Sequence, residues 1–298
     1  MNILLPRTLD EALEMKAAHP EAVPIAGGTD LMVDVNFDRR RPAALMDVSR
    51  LPELRRWARE GGTMFLGAGV TYSRIIAELA GFTPLVQASR TVGSPQIRNR
   101  GTVGGNLGTA SPAGDALPVL AAYEAEVVLA TARGGTQRVP WTQFLVGPKK
   151  TTLAPDALIL GARWRITRGP GSFSKVGPRN AMVIAIASLC LAVDEERREV
   201  RVALGSVGPT ILRAREAEAQ IALAVSSAGA WDDPAVPVAP SAIEEFGARV
   251  AEAAQPIDDV RGTAAYRRHA CAVLARRAMT WALADRARPA ATGPRRGG

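Results

Sequence analysis

Cysteine and histidine are almost missing from this sequence. Among its 298 residues only Cys190 and Cys271, and only His19 and His269, represent them. The two thiols are far apart, so no CxxC redox pair, zinc site or iron-sulfur ligand set can be assembled from this chain. Two histidines exclude an HExxH metal site and leave little for a Ser/His/Asp triad; both read as surface or helix residues. Aromatic residues are few, with five Trp, three Tyr and six Phe. The net charge of +8 comes from scattered arginines, and this combination does not make a base-stacking nucleic-acid surface. The longest apolar run, Ala181 to Val193 broken at Ser188, falls short of the roughly 20 residues a bilayer crossing needs. The N-terminus lacks a basic region followed by an apolar core, so no export signal is expected and the chain reads as cytoplasmic. Neither GxGxxG nor GxxxxGK[ST] occurs. The stretch Gly147-Pro148-Lys149-Lys150-Thr151 lacks the second spacing and reads as a basic surface loop, and a Rossmann site has no support.

What is present is a composition of 47% hydrophobic and 22% charged residues, enough for one large core or two to three modest ones. Positive charge gathers near the C-terminus at Arg276, Arg277, Arg286, Arg288, Arg295 and Arg296, and the last dozen residues read as a solvated tail.

Glycine is concentrated in one stretch, Gln96 to Asp115, where Gly101, Gly104, Gly105, Gly108 and Gly114 alternate with Thr102, Asn106, Thr109 and Ser111. Residues without a Cβ can take positive φ and bring consecutive N–H groups to one anion, so the stretch reads as a phosphate cradle. A shorter version is Pro24-Ile25-Ala26-Gly27-Gly28-Thr29-Asp30-Leu31. Either stretch alone could simply be a turn joining strands. Two of them suit a ligand with a pyrophosphate and two further polar ends.

In chain order, Ile3 to Leu5 predicts a strand. Thr8 to Glu11 has the spacing of a capping box and opens a helix to about Ala18. Val23 to Ala26 returns as a strand, placing the first glycine turn at a strand-to-helix junction where free amides favour a phosphate. Asp30 would repel that phosphate and is assigned instead to capping the following turn. Ala44 to Val48 completes a small βαβ unit. Thr63 to Gly67 reads as a strand, Thr71 to Leu79 and Pro84 to Val92 as helices, then a helix from Asp115 to about Tyr123 and a strand from Val127 to Ala130. Ala157 to Ile166 is a strand broken by Gly169-Pro170-Gly171, which marks a boundary. Met182 to Val193 and Glu199 to Leu204 read as a hairpin across the charged turn Asp194 to Arg198. Helices follow at about Arg213 to Leu223, Ser241 to Ala254 and Thr263 to Ala284.

The segments Ala26-Gly27-Gly28-Thr29-Asp30-Leu31 and Ile97-Arg98-Asn99-Arg100-Gly101-Thr102-Val103-Gly104-Gly105-Asn106 resemble the FAD-binding, or medium, subunit of the molybdenum hydroxylases. Pro256 to Arg268 resembles the stretch that opens that family's C-terminal helix. The resemblance runs from Leu9 to about Leu283. It implies an α+β fold of the PCMH type: a two-part FAD-binding α/β domain followed by a C-terminal antiparallel sheet with helices. The expected parts are residues 1–55, 56–170 and 171–285, with a flexible basic tail at 286–298. It also implies that FAD lies between the first two parts. Ile25, Ala26, Gly27, Gly28, Thr29, Asp30 and Leu31, with Thr102, Val103, Gly104, Gly105, Asn106 and Thr109, would hold the pyrophosphate. Asp115 would contact the cofactor away from the phosphates, Ile159 would supply an apolar contact, and Lys175 would lie near the flavin. Ile159 reads equally as ordinary core.

The implied activity is that of an oxidoreductase whose part here is electron transfer through FAD. Molybdenum cofactor would reside in a large partner subunit and two [2Fe-2S] clusters in a small one, in a dimer of heterotrimers. Where one branch of the family has two consecutive acids that help with nicotinamide, this sequence has Met182 and Val183, which puts NAD in doubt as acceptor. A stand-alone flavin reductase or oxidase, and a scaffold that has lost the cofactor, are the other classes open to such a chain.

Overall fold

The structure is a computed structural model that describes residues 2–288. The chain opens with β1 (Asn2–Leu4), α1 (Leu9–Ala18), β2 (Val23–Ile25), α2 (Leu31–Asn36) and β3 (Ala44–Asp47), whose strands form a parallel sheet in the order β1-β3-β2. The capping box is present. The Thr8 hydroxyl accepts from the Glu11 amide, and the Glu11 carboxylate reaches back to accept from the Arg7 amide at 2.6 Å, one residue before the cap. At the other end of α1, the buried Lys16 ammonium donates to the carbonyls of Pro20 and Ala22 and closes the turn into β2. Asp30 stands at the N-cap position of α2, but its side chain makes no capping bond. Its carbonyl accepts from the amides of Val33 and Asp34 instead.

A second, antiparallel sheet has the order β4-β5-β10-β6-β7. Its strands are β4 (Trp57–Glu60), β5 (Thr63–Gly67), β6 (Glu126–Thr131), β7 (Gly135–Pro140) and β10 (Leu158–Arg165). Between β5 and β6 come α3 (Tyr72–Glu78), α4 (Thr83–Thr91), α5 (Pro95–Arg100), α6 (Val103–Thr109) and α7 (Ala116–Ala122). After β7, α8 (Trp141–Phe144) leads into a hairpin of β8 (Leu145–Gly147) and β9 (Lys150–Thr151). Every residue of α7 is buried, and this helix is the centre of a core shared with Tyr72, Leu85, Leu107, Phe144 and Trp164.

The third sheet, β11-β12-β13-β14, is antiparallel, with strands β11 (Gly171–Val176), β12 (Ala187–Asp194), β13 (Glu199–Gly205) and β14 (Leu212–Arg213). Three helices follow: α9 (Arg215–Ser227), α10 (Pro240–Ala253) and α11 (Ala264–Ala287). Cys190, Ala192 and Ala203 face the central core, while Leu189, Leu191, Val193, Val202 and Leu204 face α9 to α11. Because both faces are covered, β12 is buried throughout and reads as an unbroken apolar run instead of alternating.

Two expectations fail here for identifiable reasons. The apolar run predicted as a strand from Met182 pairs only from Ala187. Upstream, Met182 has φ 53 and the Arg179 guanidinium binds the carbonyls of Ala181 and Met182, which takes this segment out of extended geometry. Second, the first two residues of the tail expected from 286 are helical. Arg286 and Ala287 continue α11, and the Arg286 side chain is 3% exposed over the Trp231 ring. The rest of that expected tail, 289–298, lies outside the described residues. Within the described residues no helix is long and apolar enough to cross a membrane.

Candidate functional site

A cavity of about 950 Å³ runs along the seam where the three parts meet. Ile25 to Leu31 line it from the β2–α2 turn, and Thr102, Gly104, Gly105, Asn106, Gly108 and Thr109 line it from the start and open face of α6. Ile159 comes from β10, Lys175 from β11, and Met182, Val183 and Ile184 from the segment before β12.

The first glycine turn depends on residues without side chains. Gly28 adopts φ 73, the left-handed conformation in which a side chain is strained. Gly27 lies against the Arg100 carbonyl, so near that a Cβ would sit 1.9 Å from its oxygen. This turn places Gly27, Gly28, Thr29, Asp30 and Leu31 on the cavity wall, and none of their amides donates to an acceptor among the described residues. A run of unsatisfied amides at a helix start is a concave donor surface complementary to phosphate.

The second glycine stretch differs from its expected form. It is no open loop but two short helices, α5 and α6, and no glycine from Gly101 to Gly114 takes positive φ. The amides of Gly104, Gly105 and Asn106 already donate, to the Ala68 carbonyl, the Thr102 hydroxyl and the Thr102 carbonyl. Gly104 is needed for close packing, since a Cβ there would meet the Ala68 carbonyl oxygen at 2.6 Å. What this stretch offers the cavity is chiefly a floor without side chains at Gly105 and Gly108. Arg98 is equally committed, its guanidinium donating to the carbonyls of Val92 and Gly93 behind α4.

Polar groups concentrate beyond α6. The Lys175 ammonium stands 2.6 Å from Asp115 Oδ2 and 3.0 Å from the Thr91 carbonyl, with both side chains 6% exposed. The Thr91 hydroxyl donates to the same carboxylate oxygen. Burial raises the Asp115 carboxyl above its ordinary value, while Lys175 and Thr91 pull it partly back. The pair keeps a cation and a carboxylate fixed in a poorly solvated place, a costly arrangement to break from one side. Asp115 Oδ1, Asn106 Oδ1 and the Tyr72 hydroxyl are buried without a partner, and all three residues line the cavity.

Of the residues singled out from the sequence, all but one line this cavity. Val103 is fully buried and turned into the central core; as the first residue of a helix whose outer face carries Gly105 and Gly108, it has to point inward. Sequence reasoning missed Tyr72, Ser94, Lys149 and Thr151, which also line the cavity. Lys149 belongs to the segment read as a surface loop. Although exposed, it is carried to the cavity because its amide donates to the Ala110 carbonyl at the end of α6. The signal available for it was the adjoining Gly147-Pro148. Among the described residues no group of three or more His, Cys, Asp or Glu could hold a metal.

A long cleft with a phosphate-shaped turn and a buried ion pair defines a dinucleotide-binding module without the Rossmann architecture. The family described as "FAD binding domain in molybdopterin dehydrogenase" matches residues 1–163, and "CO dehydrogenase flavoprotein C-terminal domain" matches residues 235–282. The chain is 33% identical over 201 residues to the nicotinate dehydrogenase FAD-subunit of Eubacterium barkeri, covering 63% of this chain and 67% of that one. It is 29% identical over 278 residues to the glyceraldehyde dehydrogenase medium chain of Sulfolobus acidocaldarius, covering 91% and 94%. The solved carbon monoxide dehydrogenase from Hydrogenophaga pseudoflava contains a chain that superposes with a TM-score of 0.83 at 26% identity, covering 96% of this chain and 98% of that one. This chain therefore belongs to the family of FAD-binding subunits of molybdenum hydroxylases.

The cleft fits that cofactor on its own terms. The free amides at the β2–α2 turn suit its phosphates, and the orphaned oxygens near Asp115 call for a ligand that both donates and accepts hydrogen bonds.

Proposed function

We propose that this chain is the electron-transfer subunit of a molybdenum hydroxylase, passing electrons from [2Fe-2S] clusters of a small partner subunit to an external acceptor. The large partner would carry the molybdenum cofactor and oxidise the substrate. Bound FAD would supply a carrier that exchanges electrons singly or in pairs. The chain's own residues do the rest. The β2–α2 amides hold the phosphates, with Thr29 beside them. Gly105, Gly108 and Thr109 form the floor, and Ile159 packs an apolar part. Lys175, held by Asp115, presents positive charge where a reduced ring gains electron density.

The observation that carries this reading is the pairing, in one cleft, of a run of unsatisfied amides with the Lys175–Asp115 pair. No side-chain base positioned for substrate chemistry is required. The rim residues Met182, Val183 and Ile184 carry no charge, which supports an acceptor other than NAD. The same reading places the complex in the cytoplasm as a dimer of heterotrimers. It divides the chain at about residues 55 and 170, where the connections between the three sheets run.

Purification from the native host tests it. Visible absorption of bound flavin, together with molybdenum and iron in two co-eluting subunits, is the expected result. A yellow chain eluting alone would favour an independent reductase. A colourless chain that also fails to take up added FAD would favour a scaffold. Either outcome overturns the proposal.

A further inference from the structure

Tyr72 opens α3 against the second glycine stretch. Its amide donates to the Gly101 carbonyl, and Thr71 and Thr102 form a β-bridge beside it. Gly101 leaves room for the ring, because a Cβ there would lie 3.3 Å from Tyr72 Cδ2. The side chain is 2% exposed, yet it lines the cavity and its hydroxyl has no protein partner. A buried phenol normally finds one. In the same cavity Asn106 Oδ1 and Asp115 Oδ1 are buried acceptors lacking a donor, and Lys175 occupies the other Asp115 oxygen. Burial, and secondarily the Asp115 charge, raises the phenol well above its ordinary pKa, so it is available as a donor throughout the physiological range.

We propose that Tyr72 is a cofactor-binding residue, its hydroxyl donating to a bound flavin carbonyl or ribityl oxygen while Asn106 and Asp115 accept from the cofactor's N–H or O–H groups. The three orphaned atoms offer one donor and two acceptors. The pyrimidine edge of a flavin, an N–H between two carbonyls, and the ribityl hydroxyls both have the complementary mixture. A purely apolar or purely anionic ligand would leave part of the trio unsatisfied. The proposal rests on the FAD reading and adds to it a residue that neither glycine motif contains.

The experiment uses the full chain, stripped of flavin and titrated with FAD, as wild type and as Tyr72→Phe. Loss of one hydrogen bond should weaken FAD binding about five- to tenfold. Thermal unfolding of the flavin-free chain should be unchanged or raised, because the variant removes a hydroxyl that has no partner there. A shifted flavin absorption spectrum in Tyr72→Phe would assign the contact to the ring edge, and weaker binding with an unchanged spectrum would assign it to the ribityl chain. Equal affinity in the two proteins would overturn the Tyr72 assignment, leaving its partner as water. A flavin-free variant markedly less stable than wild type would overturn it too, because the hydroxyl would then serve the fold. If wild type itself takes up no FAD, the functional reading fails, an outcome distinct from either.

Discussion

The side chains of Lys175 and Asp115 are each 6% exposed and 2.6 Å apart, so removing one leaves the other charged and buried. Lys175→Ala should cost about 3–5 kcal/mol of stability, read from urea unfolding of the flavin-free chain. The double replacement Asp115→Asn with Lys175→Met should recover much of that loss. A cost under about 1 kcal/mol for Lys175→Ala would mean that solvent reaches the pair. The glycines separate in the same way. Gly104→Val would drive a side chain into the Ala68 backbone, 2.6 Å from where its Cβ would stand, and should destabilise the fold by at least about 1–3 kcal/mol. Gly108 has only Ile159 Cδ1 near, at 3.6 Å. Gly108→Val should leave unfolding nearly unchanged while lowering FAD affinity, measured by dialysis. At this scale nearly all the site residues named from the sequence fall on the cleft, but much of its wall, and each residue's part, was not legible. Glycine signals closeness without saying whether protein or ligand comes close. Only the positions of Ala68 and Arg100 decide that Gly104 and Gly27 serve the fold first.

Elements were legible where the pattern is local. The Thr8 and Thr263 caps, the Thr63 to Gly67 strand and the three C-terminal helices follow from local pattern. Strands held by distant partners were less so. The edges β4 and β7 have mixed, half-polar sequences that only pairing with β5 and β6 makes extended. β12 shows what burial on both faces does to a sequence, and it ends in Asp194, 1% exposed, held by Arg165 of β10 and by Arg201 at 2.7 Å. Burial pushes this carboxyl up, but Arg165, the Arg197 amide and Arg201 outweigh it and hold it below its ordinary value. A carboxyl lowered in the folded state contributes stability that is present above its unfolded pKa and lost as pH falls through the folded one. Asp194→Asn should therefore lower stability at neutral pH and flatten its decline below about pH 4, followed by denaturant midpoints across pH. An unchanged acid limb would show that this contact between two sheets carries no net charge energy. The thiols make a second test of packing. Burial raises both, Cys271 to about 12 and Cys190 further, so neither should react with an alkylating reagent at neutral pH until the chain is unfolded.

The whole molecule places three sheets around one cleft, and no single stretch of sequence contains that cleft. Its walls come from residues as far apart as Ile25, Lys149 and Ile184. The resemblance of the glycine motifs supplied the arrangement that periodicity could not, and the structure adds what each part offers: amides without protein acceptors at the β2–α2 turn, a bare floor on α6, and fixed charge at Lys175 and Asp115. Everything proposed for the cleft depends on its holding one FAD. The most direct measurement is an equilibrium titration of the flavin-free full chain with FAD, compared with FMN. Saturation at one FAD per chain is expected, with much weaker binding of FMN, which lacks the pyrophosphate that the β2–α2 amides would grip. Equal affinity for the two, or no saturable uptake of FAD, would contradict it.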